Sequence, residues 1–177
     1  MRTQSVRWIT FIALMGALGV GLNYLTAALP NFSMILAFFL LILSYAGGVA
    51  GSLTMLITVL AANIRTGGVG PWTLFQIIAY LIIFMIWQLL SKTFVLKKWR
   101  LSRAVIAALL AFSFGFWNAL FNVPFYHLPN FLAYYLQGLP FDTAYCLATG
   151  ITYYFMDRYL FPLLQRRVPE LSRKEHH

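Results

Sequence analysis

Asn63-Ile-Arg-Thr-Gly-Gly-Val-Gly-Pro-Trp-Thr-Leu-Phe-Gln76 is a short polar interruption between two apolar runs, each long enough to enter a bilayer. It holds one cation, Arg65, three glycines and a proline, followed by an aromatic and an amide. Glycine reaches backbone conformations that other residues avoid, and proline suits the first turn of a helix, where its missing N–H costs nothing. The stretch therefore predicts a tight loop and a helix starting near Pro71. Working outward from it, this loop faces away from the cytoplasm and, with two others, roofs a ligand site.

The composition agrees with a bilayer. Of 177 residues, 61% are hydrophobic, 18% aromatic and only 10% charged, against about 25% charged in a soluble domain. With a mean hydropathy of +0.77, the expected class is an all-α integral membrane protein, a single domain over 1–175 with no separate soluble module. The terminal pair His176 and His177 reads as a tag remnant. The net charge of +9 lies in clusters between apolar runs, as the positive-inside rule places them, so no nucleic-acid partner is expected. Cys146 is the only cysteine and sits in an apolar run, which excludes an intrachain disulfide and reads as packing.

A transmembrane helix takes about 20 mostly apolar residues, and six candidates follow: Trp8–Ala28, Phe32–Tyr45, Val49–Ile64, Pro71–Leu90, Ser102–Phe121 and Leu139–Leu163. The first is too long for a signal-peptide core and reads as a retained helix. The second and third are short and meet at Gly47-Gly48, so they are either two spans at a glycine hinge or one long bent helix. Lysine and arginine decide for six spans. One side then receives Arg2, Arg7, Lys92, Lys97, Lys98, Arg100, Arg103, Arg158, Arg166, Arg167, Arg173 and Lys174, and the other only Arg65. Both termini are thus expected in the cytoplasm. Three loops lie outside: Leu29–Ser33, Arg65–Gly70 and a long Asn122–Gly138.

Two constellations stand out. In the first helix, Ala13, Ala17 and Gly21 stand four apart with Gly16 beside them. Such a strip lets helices approach closely in lipid, either as an internal seam or as a docking face for another subunit. The second gathers at outer helix ends: Asn23, Tyr24, Asn63, Arg65, Trp72, Gln76, Asn118, Asn122, Tyr126, His127, Asp142 and Tyr145. Singly, these are caps, interhelical bonds or interface aromatics. Together, at five helix ends, they supply the aromatic and polar lining of a small-molecule pocket. Asp142, the one acid near that face, reads first as an anion in the first turn of helix six. A salt bridge to Arg65 comes second and ligand contact third.

The chemistry that is missing narrows the function. No phosphate-binding loop, zinc-protease helix or Cys/His cluster is present, so no metal or cofactor is expected on this chain itself. Four acids in the whole chain make a catalytic dyad or a proton relay hard to assemble. Enzyme activity is not expected.

The chain resembles a known family, the substrate-binding S component of energy-coupling factor (ECF) vitamin transporters. The resemblance spans nearly the whole chain. It rests on the size, a six-helix pattern with a short second helix, Ala13-x-x-x-Ala17, and Gly47-Gly48-Val-Ala-Gly51. Gly70-Pro71-Trp72-Thr-Leu-Phe-Gln76 and Gly138-Leu-Pro-Phe-Asp142 are its more specific motifs. Where sequences of that family carry a His and an Asn after the Phe-Asp pair, this chain has Tyr145 and Thr149, so the motif does not fix the ligand. The resemblance implies a subunit of the bacterial cell membrane that binds a vitamin at high affinity. It would dock through Ala13 and Ala17 on a transmembrane scaffold subunit energised by two cytoplasmic ATPases. It also implies toppling in the bilayer, with Ala28–Ser33 as the gate. The Gly-Pro-Trp-Thr…Gln pattern and the aromatic, charge-poor outer end point to cobalamin first. Pantothenate or another carboxylate ligand for Arg65 comes second, and a membrane assembly subunit without a ligand is the alternative of a different class.

Overall fold

The computed structural model describes residues 2–27, 32–65, 67–93 and 99–171. Most of the expected gate, and Lys97, Lys98, Arg173, Lys174 and the terminal histidines, lie outside those residues. The described chain is all-helical. Its helices are α1 (Arg2–Thr26), α2 (Ile35–Ala46), α3 (Gly48–Arg65), α4 (Pro71–Leu90), α5 (Arg100–Phe125) and α6 (Phe131–Phe155). A wider, π-type turn (Met156–Leu160), the short α7 (Phe161–Arg167) and a 3₁₀ turn (Pro169–Leu171) follow. Four helices are long and apolar enough to cross a membrane: Val6–Thr26, Gly48–Arg65, Pro71–Leu90 and Arg100–Phe125.

The core is α2. Its sequence, Ile-Leu-Ala-Phe-Phe-Leu-Leu-Ile-Leu-Ser-Tyr-Ala, is apolar all round, and such a helix has no face to offer water. Leu36 through Ile42 are accordingly fully buried among the other helices. Twelve residues rise only about 18 Å, well short of the ~30 Å hydrocarbon core. A central helix this short leaves space at its ends unless something fills it. At the C-terminal end α7 does so. The Tyr45 hydroxyl donates to the carbonyls of Leu164 and Val168, and Phe161 meets its ring edge-on at 6.1 Å. Trp87 closes the same end, donating to Ser44 Oγ at 2.9 Å and packing on Tyr153. No such plug covers the N-terminal end among the described residues.

The hinge at Gly47 is real. Its φ of +89° suits glycine, and the chain then doubles back. A Cβ on Gly51 would lie 3.1 Å from the Leu43 Cα, whereas residues eight apart in one helix are about 12 Å apart. One long bent helix is thus excluded. The Arg65–Pro71 turn also forms as its residues dictate. Gly67 and Gly68 take φ of +126° and +103°, Gly68 N–H returns to Asn63 O at 2.9 Å, and α4 opens on Pro71.

Two expectations about the last hairpin fail. The long outer loop Asn122–Gly138 is mostly helix: α5 runs on to Phe125, α6 starts at Phe131, and only Tyr126–Asn130 connect them. The true N-cap is Asn130, whose side chain accepts from Ala133 N–H at 3.0 Å. Gly138 and Pro140 look like a helix start but lie inside α6, where Pro140 forfeits one backbone bond. Asp142 is therefore mid-helix, away from the N-terminal dipole, and the first-turn reading of it fails.

Candidate functional site

At the open end of α2 lies a cavity of about 260 Å³, to which each of α1 to α6 contributes. Six of the twelve expected ligand residues line it: Asn23, Asn63, Arg65, Gln76, Asp142 and Tyr145. The other lining comes from Ser33 just before α2, Ile35 at its start, Val59 and Ala62 on α3, Tyr80 on α4 and Phe114 on α5. Several of these stand one helical turn deeper than a named polar residue: Val59 below Asn63, Tyr80 below Gln76, Phe114 below Asn118. The i to i+4 spacing was the available signal.

One wall is a hydrogen-bond chain whose direction is fixed by chemistry. Trp72 Nε1 can only donate, and it meets Asn63 Oδ1 at 3.2 Å. Asn63 must then turn its Nδ2 away, to Val59 O at 2.9 Å and Gln76 Oε1 at 3.0 Å. Gln76, which lines the cavity, thus has its Oε1 engaged on this wall. Gly70 makes this possible, because any Cβ there would fall 2.2 Å from the folded-back Trp72 ring. Trp72 itself is not in the lining. It orients Asn63.

Arg65 sits at the mouth. Its guanidinium donates to Asn23 Oδ1 at 3.4 Å and lies 4.5 Å above the ring of half-exposed Tyr24. This holds the cation on α1 by a hydrogen bond and a cation–π contact. The expected salt bridge to Asp142 is absent among the described residues, although both groups line one cavity.

Asp142 is the deep polar group. It is 8% exposed, and its Oδ2 has no hydrogen-bond partner. Its seat is Gly115 on α5, where a Cβ would come within 1.9 Å of Oδ2. Below, the Tyr80 and Tyr145 hydroxyls meet at 3.3 Å, with Phe114 between their rings at 4.6 and 5.5 Å. The cavity is thus cationic at its mouth, acidic at depth and aromatic at its floor.

The remaining expected ligand residues lie elsewhere. Asn118 and Asn122 turn their amides back onto their own helix, to Phe114 O at 2.9 Å and Asn118 O at 2.7 Å. Tyr126 and His127 are exposed in the α5–α6 turn, with His127 at φ +51°.

The small-residue strip divides. Gly16 faces inward on Ile57, where a Cβ would sit 2.7 Å from the side chain, and Gly16 O accepts from Thr58 Oγ1 at 3.3 Å. That part is an internal seam. Ala13, Ala17 and Gly21 are exposed on the outer face of α1. No family model, curated protein or solved structure matches the chain.

Proposed function

We propose that the chain is a membrane-embedded, high-affinity binding subunit of an uptake system, of the S-component kind that its sequence resembles. It crosses the bilayer six times with both termini in the cytoplasm. The observation that carries this reading is the open cavity at the end of the bundle where, among the described residues, Arg65 is the only lysine or arginine, opposite Lys92, Arg100, Arg103, Arg166 and Arg167. A pure assembly subunit would be expected to fill that end with its own side chains, as this chain does at the other end.

The cavity volume orders the ligands. Pockets for drug-sized molecules run to roughly 300–1,000 Å³, so about 260 Å³ fits a small micronutrient with an anionic group for Arg65. A small vitamin that carries a carboxylate, the class to which pantothenate belongs, now comes first. A corrinoid is far larger and would need the mouth to part. Calorimetry on the detergent-purified chain tests this. Nanomolar binding of pantothenate or a like-sized vitamin is expected, tight cobalamin binding would reverse the order, and no binding across a vitamin panel would sink the reading.

Docking on a scaffold with two ATPases is carried by the exposed face of α1. Ala13→Leu with Ala17→Leu should abolish co-purification with the partner subunits and leave the thermal midpoint and ligand binding unchanged. Gly16→Leu should instead collide with Ile57 and destabilise the fold by about 1–3 kcal/mol. Equal behaviour of the two variants would remove the distinction between docking face and seam.

A further inference from the structure

A carboxyl and a guanidinium line the same cavity without meeting each other. Burying a carboxyl without a partner is expensive, and native structures rarely leave one so. Asp142 nevertheless has an unpartnered, buried Oδ2, and the fold makes room for it with a glycine on the neighbouring helix. No lysine, arginine or histidine ion-pairs with it among the described residues. The partner that would satisfy it is a cation or a strong donor arriving from the cavity. Arg65, held aside by Asn23 and Tyr24 at the mouth, is free to receive an anion. Beneath the two charged groups, the Tyr80, Phe114 and Tyr145 rings, tilted against one another, supply an aromatic floor.

We propose that the cavity takes a small zwitterion, seated with its cationic group on Asp142, its anionic group on Arg65 and its body on Phe114. This rests on the ligand-binding reading above and adds the charge pattern of the ligand. An ammonium on Asp142 makes a charge-assisted hydrogen bond, and the adjoining ring faces favour the same sign of charge. A ligand with only the anionic end would leave the carboxyl as it is now, buried and unsatisfied.

The test uses three matched probes on the purified full chain: 4-(aminomethyl)benzoate, 4-methylbenzoate and 4-methylbenzylamine. The zwitterion should bind at least about tenfold more tightly than either singly charged probe, the effect of one charged hydrogen bond. Asp142→Asn should erase the preference for the amine and leave that for the carboxylate, and Arg65→Gln should do the converse. Equal binding of 4-methylbenzoate and the zwitterion by the wild type overturns the proposal while leaving the cavity a binding site. Failure of all three probes also overturns it. The vitamin panel then decides separately whether the cavity binds a ligand at all.

Discussion

Arg103→Met should lower the stability of the detergent-solubilised protein by about 3–5 kcal/mol, the cost of leaving a buried charge unpaired. Asp157 is almost fully buried at the plugged end of the bundle, and Arg103 Nη2 approaches its Oδ2 at 2.9 Å. Arg100 stands farther off, with Nε at 3.8 Å and a side chain half in solvent. Water screens that pair, so Arg100→Met should cost under about 1 kcal/mol. The contrast is what identifies the buried pair as the structural one. Replacing both partners, as Arg103→Met with Asp157→Met, should recover much of the loss, since an apolar pair of like volume needs no compensation. Denaturation midpoints in a mixed-micelle titration read all three. Indistinguishable midpoints for the two arginine variants would show that Asp157 draws equally on both.

The same pair shows where sequence reasoning stops. Asp157 and Arg158 are oppositely charged neighbours in the chain, yet Arg158 lies 5.7 Å from the Tyr159 ring while Asp157 reaches across to α5. A wider turn at Met156–Leu160 shifts the helix phase, and no local signal in the sequence announces it. Local signals served well elsewhere. Pro71 starts α4, Gly47 breaks α2 from α3, and the all-round apolar sequence of α2 places it in the core. They misled at Gly138 and Pro140, because punctuating residues are tolerated inside a long helix when a better cap, here Asn130, lies upstream.

The site was half legible for a related reason. Polar residues at helix ends were easy to see, but position along a helix does not give the angle around it. Asn118 and Asn122 have the right depth and spend their amides on their own backbone, whereas Asn23 and Gln76 face the cavity. Tyr80 and Phe114 were hidden because an aromatic in an apolar run has an ordinary explanation as core. The space itself follows from the brevity of α2, but only once its other end is known to be plugged by α7. That is a tertiary fact, set by Tyr45 meeting carbonyls more than a hundred residues away.

Gly115→Ala should do damage out of proportion to one methyl. The new Cβ would fall 1.9 Å from Asp142 Oδ2 and 2.4 Å from the carboxyl carbon, so either the carboxyl swings out or α5 and α6 part. Overpacking of this kind costs about 1–3 kcal/mol, and the zwitterionic probe should lose its advantage because its acidic anchor has moved. Asp142→Ala removes the carboxyl and, with it, the unsatisfied oxygen, so this variant should fold at least as well as the parent while failing to select the amine. The double variant decides between strain and a general helix effect. If the damage is a collision between that methyl and that carboxyl, Gly115→Ala in the Asp142→Ala background should be nearly silent, with a coupling energy within the 0.5–3 kcal/mol range seen for touching residues. If the two losses simply add, Gly115 serves the packing of α5 on α6 independently of Asp142, and the cradle that presents the carboxyl to the cavity is not the reason for the glycine.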